Sequence, residues 1–183
     1  MNSIKILLIA CLVCGFYSCK EDPKTATPEN KTSVKSDPKK EPYKAVQTTA
    51  TFNDSLVSSA YNQYIVLKTA LVNTNQEKSA LAADVLMTHF ANLGVSEEAL
   101  IIIQNIKESK TIDGQRKSFT DLTPVMEDLL KDAIASGTVY KQFCPMANNN
   151  TGAYWLSNSK EVYNPYFGDV MLHCGRVTEE LTQ

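Results

Sequence analysis

From Asp54 to Leu93 the chain reads DSLVSSAYNQYIVLKTALVNTNQEKSALAADVLMTHFANL, forty residues without a Gly or Pro. Leu56, Ala60, Tyr64, Leu67 and Leu71 recur at steps of four and three, which puts apolar side chains on one face of a helix for about four turns. Asn53 or Asp54 can cap that helix. Val72-Asn73-Thr74-Asn75 is a polar break, and Asn75 can accept from the free N–H groups of a second helix marked by Ala82, Leu86, Phe90 and Leu93. Gly94 supplies a left-handed stop.

Two more helices follow. Ser96-Glu97-Glu98 places a hydroxyl cap before two acids, where the helix dipole favours negative charge, and Ala99, Ile102, Ile103 and Ile106 form the core face. Phe119, Leu122, Met126, Leu129 and Ala133 make a fourth seam. Pro124 lies inside it, so the helix either kinks there or restarts with Thr123 as cap; Gly137 is expected to end it. Short polar connections between such helices predict a mainly α fold, an antiparallel three- or four-helix up-and-down bundle.

The whole chain has 183 residues and a formal net charge of −2, room for one domain with tails. From Asp54 onward ten Lys/Arg face fifteen Asp/Glu, so the basic stripe that nucleic-acid binding requires is missing. Ile6 to Phe16 is an apolar run too short to span a bilayer, and it reads as the core of a signal peptide covering 1–18. Phe16-Tyr17-Ser18-Cys19 resembles a lipobox, which implies cleavage before Cys19, lipidation of Cys19 and attachment to a membrane through acyl chains. Lys20-Glu21-Asp22 resembles the acidic export signals of surface lipoproteins, so the expected location is the cell envelope, on the outer membrane and facing either the periplasm or the cell surface. Residues 19–52 carry four prolines and seven lysines interleaved with five acids and form a disordered tether. The folded domain is then 53–183.

Composition changes after Gly137, and segment 138–183 holds the chemistry. Seven of the fifteen aromatic residues and four of the seven glycines lie between Gly137 and Gly175. Val139 to Phe143 alternates as a half-buried strand, Asn148 to Gly152 is a turn cluster, and Ala153 to Leu156 can return antiparallel, which gives a β-hairpin extension on the bundle. Cys144-Pro145-Met146 and Met171-Leu172-His173-Cys174 each combine a thiol with a thioether. That donor set selects Cu⁺ or Ag⁺ over hard cations. Outside the cytosol the same two cysteines can instead form a Cys144–Cys174 disulfide, worth about 3.6 kcal/mol by the loop-entropy relation. Both readings stand on the residues. His173 is either an extra ligand or surface, and His89, at the edge of an apolar helical face, is a boundary residue or a ligand.

Gln115-Arg116, Phe119, Val139-Tyr140, Phe143-Cys144-Pro145-Met146-Ala147, Gly152-Ala153-Tyr154-Trp155-Leu156-Ser157, Asn164-Pro165-Tyr166-Phe167-Gly168-Asp169 and Met171-Leu172 with Cys174-Gly175 together resemble an uncharacterised bacterial family of unknown function. That family occurs as envelope lipoproteins and appended to adaptor subunits of heavy-metal efflux pumps. The resemblance implies a soft-metal role, with Cys144, Met146, Met171 and Cys174 as ligands and an efflux adaptor, or another metal-handling envelope protein, as partner. Buffering, resistance and transfer are the functions it suggests. The alternative is a structural or interaction module, stapled by the disulfide, that docks an envelope partner. No nucleophile and base pair, phosphate loop or ligand-spaced His and carboxylate cluster points to an enzyme.

Overall fold

Each helix begins where a short polar side chain replaces a missing backbone partner. In the computed structural model, which describes residues 41–183, helix α1 (Ser55–Val72) starts at Asp54, whose carboxylate accepts the Leu56 N–H at 2.7 Å. Asn75 caps α2 (Gln76–Leu93), Ser96 caps α3 (Glu97–Glu108) and Thr111 caps α4 (Ile112–Leu130). Gly94 closes α2 with φ 67°, a left-handed angle that glycine adopts without steric cost. The signal peptide 1–18, Cys19 and the first part of the tether lie outside the described residues.

Three-residue connections fold the helices back on one another in sequence order, and α4 returns against α1. The core is built from Tyr61, Tyr64, Leu67 and Leu71 of α1, Leu86 and Phe90 of α2, Ile103 and Ile106 of α3, and Phe119, Leu122 and Met126 of α4. The buried stripe of α1 passes through Val57 and Tyr61, so Leu56 is exposed at 41%. Helix α4 neither stops nor restarts at Pro124, which lies on its exposed side. Among the described residues no helix is long and apolar enough to cross a membrane.

The β extension is larger than a hairpin. Strand β1 (Thr51–Phe52) pairs antiparallel with β2 (Ile134–Ser136), so these two residues of the expected tether are already part of the domain, and residues 41–50 lie against it with Ala50 buried. The helix ends at Leu130 rather than Gly137. Gly137, at φ 78°, instead turns β2 into β3, and a Cβ there would fall on the backbone of Thr49. Strand β3 (Val139–Cys144) is the centre of a three-stranded antiparallel sheet, between β4 (Ala153–Ser157) and β5 (Arg176–Leu181). Asn148, Asn149 and Asn150, all left-handed at φ 50°, 56° and 64°, reverse the chain between β3 and β4. Asparagine tolerates that region better than most residues.

Phe119 has no exposed surface and stacks on Tyr64 at 5.1 Å between centroids. Phe119→Ala is expected to lower stability by about 3–5 kcal/mol in urea denaturation, the range for an aromatic removed from a packed core.

Candidate functional site

Cys144 ends β3 opposite Ala153 of β4, and its side chain is fully buried. Cys174 precedes β5, which enters the sheet on the other side of β3, where Phe143 pairs with Arg176. The two Sγ atoms are 2.8 Å apart although thirty positions separate them, and both cysteines are free thiols. Cys174 keeps partial exposure. The adjacent Cys144 thiol, and secondarily burial, push the Cys174 pKa up to about 11, so at neutral pH it holds its proton.

Buried polar side chains fix this arrangement. Asn164 donates from Nδ2 to the Cys174 carbonyl at 2.7 Å, while its Oδ1 accepts the N–H groups of Tyr166 and Phe167. The Asn-Pro-Tyr-Phe-Gly turn thus seats the Cys174 segment. Arg116 ties the turn to the bundle by donating to the carbonyls of Pro165 and Leu71 and to the Thr74 hydroxyl. Gly175, at φ 140°, passes where a Cβ would lie 2.8 Å from Trp155 and 2.9 Å from the Phe143 carbonyl oxygen. Trp155 donates to Gln142 Oε1 at 2.7 Å, and Gln142 Nε2 faces the carbonyls of Ser159, Lys160 and Glu161.

The other candidate ligands lie differently. Met146 is 47% exposed at the start of the asparagine turn and Met171 is partly buried just before Cys174; neither thioether hydrogen-bonds to a thiol. His173 places Nδ1 2.8 Å from the Val162 carbonyl, tilts against Tyr163 and lines a groove under residues 41–48, to which neither cysteine contributes. His89 is on α2, which packs chiefly on α1, α3 and α4. Among the described residues no three His, Cys, Asp or Glu side chains gather as a metal cage.

Residues 60–137 match the family described as Protein of unknown function (DUF3347). The match covers most of the bundle and stops at Gly137, before both cysteines. No curated protein and no solved structure matches the chain.

The sequence reading passed over Lys68. Three residues before Leu71 and four after Tyr64, it lies on the buried face of α1, and only 1% of it is exposed. Its Nζ donates to Ser157 Oγ at 3.2 Å and sits 5.4 Å from the centre of the Tyr43 ring. Burial alone lowers its pKa to about 7. The unfolded chain therefore binds a proton that the folded one releases between pH 7 and 10.5, and folding stability rises with pH across that window. Between pH 7 and 9.5 the expected gain is about 3 kcal/mol by linkage. Lys68→Met is expected to melt at a higher temperature than wild type at pH 7 and to show a nearly flat stability over the same range, measured by urea titration at each pH.

Proposed function

We propose that the protein is an envelope lipoprotein, anchored through Cys19, that holds a soft metal ion as cargo on the Cys144 and Cys174 thiolates. The observation that carries the reading is the convergence of these two cysteines to 2.8 Å at the end of the central strand, with Cys174 partly exposed. Two thiolates suit Cu⁺ or Ag⁺, and a cargo ion needs an accessible donor, which Cys174 supplies. Two metal–sulfur bonds of about 2.3 Å at a tetrahedral angle hold their sulfurs about 3.8 Å apart, so the pair opens by about 1 Å on loading, which rotation of the Cys174 side chain provides. Met146 and Met171 are the nearest thioethers in sequence and serve as auxiliary donors, recruited by loop movement. Transfer to an efflux adaptor, or buffering in the envelope, is the role that the resemblance of the C-terminal motif suggests; no catalytic chemistry is invoked.

The experiment is a Cu⁺ competition titration of reduced protein against a chromogenic chelator. Wild type is expected to bind one equivalent, Cys144→Ser/Cys174→Ser to lose competition by at least a hundredfold, and Met146→Leu or Met171→Leu to lose less than the cysteine pair. A reduced wild type that fails to compete contradicts the reading. Because the Cys174 thiol gives up its proton on binding, that thiol alone is expected to raise the affinity of the site about tenfold per pH unit up to its pKa near 11, and a proton lost from Cys144 steepens the slope further. Titrations at pH 6, 7 and 8 check that slope.

A second reading is favoured by the same distance. Sulfurs at 2.8 Å are closer than a chelate needs and nearer to the disulfide length of about 2.05 Å. In this reading Cys144–Cys174 staples β5 to β3 and the protein docks an envelope partner. The oxidised protein is then expected to gain about 3.6 kcal/mol over the reduced one, and reduction is expected to confer no metal competition.

A further inference from the structure

Lys68 is the only Lys, Arg, His, Asp or Glu among the buried described residues. Its one hydrogen-bonding partner is the Ser157 hydroxyl, which also accepts the Ser159 N–H at 3.3 Å. Ser157, on the last position of β4, is itself 1% exposed. No carboxylate faces the amine from α1, β4 or residues 41–50. The Tyr43 phenol of the irregular segment lies over the amine, Tyr64 and Tyr61 precede it by one and two turns on its own helix, and burial pushes all three phenols above their ordinary range. An amine so placed has a strong reason to be uncharged at neutral pH, with the Ser157 hydroxyl then donating to its lone pair. An uncharged lysine is a nucleophile.

The cover over this amine is slight. Residues 41–50 contain neither helix nor strand. Tyr43 is held by reciprocal hydrogen bonds with Asn73, at 2.8 and 2.9 Å, and by stacking on Tyr163 at 4.1 Å. Further along, Asn158 donates to the Val46 carbonyl. Between this segment and α1 runs a groove of about 1130 Å³, lined by Tyr43, Ile65, Thr69, Asn73, Tyr163 and His173. The Tyr43 ring, whose centre is 5.4 Å from Lys68 Nζ, lines this groove, and Lys68 itself does not.

We propose that Lys68 is a covalent modification site for small carbonyl compounds, an amine kept behind the Tyr43 ring and reached through this groove. The lone pair of Nζ attacks the carbonyl carbon and forms the C–N bond. The carbonyl oxygen collects two hydrogens that originate on Nζ, the first relayed by the Ser157 hydroxyl, and leaves as water. The product is an imine, and no oxidant or reductant takes part. The site is independent of the thiol pair.

Formaldehyde with cyanoborohydride at pH 7, followed by peptide mass spectrometry of the full chain, tests this by trapping each imine as it forms. Lys78, exposed on α2, serves as the reference amine. Lys68 is expected to be methylated faster than Lys78 in wild type, and its rate relative to Lys78 is expected to rise at least fivefold in Tyr43→Ala. Asn73→Ala, which removes the tie to Tyr43 but keeps the ring, is the second variant, and far-UV circular dichroism checks that both fold. A Lys68 rate below that of Lys78 in wild type overturns the proposal, as does a ratio unmoved in two folded variants.

Discussion

Tyr64 is where the bundle and the sheet meet, and the rest of the molecule depends on that contact. Its ring lies in the core of α1, stacked on Phe119 of α4. Its hydroxyl accepts the Leu156 N–H of β4 at 3.1 Å and shares a hydrogen with the Thr123 hydroxyl at 3.0 Å. Burial holds this phenol well above its usual range, so it stays protonated wherever the protein is folded. An edge strand presents unpaired backbone groups, and Tyr64 satisfies one of them from inside the core. Tyr166 satisfies another, donating to the Tyr154 carbonyl at 2.7 Å while packing against Phe119 and Trp155.

With β4 docked in this way, β3 and β5 have little freedom. β3 pairs with β4 in unbroken register through five residues, ending with Cys144 opposite Ala153, while a register shift against β5 between Lys141 and Gln142 leaves Thr178 as the extra residue of β5. Cys174 is brought to Cys144 by three separate constraints: the Asn164 turn, the Arg116 clamp that anchors that turn, and the narrow passage that only a glycine at position 175 allows. The thiols meet because the backbone delivers them. Nothing comparable delivers the thioethers, which is why the proposed metal holding rests on the pair of cysteines rather than on a preformed four-donor cage.

The helical half was legible in the sequence because its signals are local. Asp54, Asn75, Ser96 and Gly94 act within one helical turn, and a 3.6-residue period needs no knowledge of what packs against it. The hairpin of β3 and β4 was legible for the same reason. Where long-range contacts decide, the reading departs from the structure. Gly137 looks like a helix stop but serves a strand turn, because β2 finds its partner at Thr51, eighty-five positions earlier. Leu56 belongs to the apolar period yet lies outside it in space, since Val57 and Tyr61 face the other helices. β5 is charged and carries no alternating pattern, so only its pairing with β3 marks it as a strand. His173 sits beside Cys174 in sequence and turns to Val162 in space. Lys68 offered a signal, a charge at a core position of the first helix, that the periodicity alone was enough to find.

The central claim is that Cys144 and Cys174 act together as donors to one soft ion. X-ray absorption at the copper edge of Cu⁺-loaded, reduced protein tests it directly, because the fine structure reports the identity of the bound atoms. The account predicts sulfur neighbours at thiolate distance, about 2.3 Å, in wild type, and their loss in the double cysteine variant. Copper surrounded by nitrogen and oxygen alone, with the same spectrum in both proteins, would contradict it.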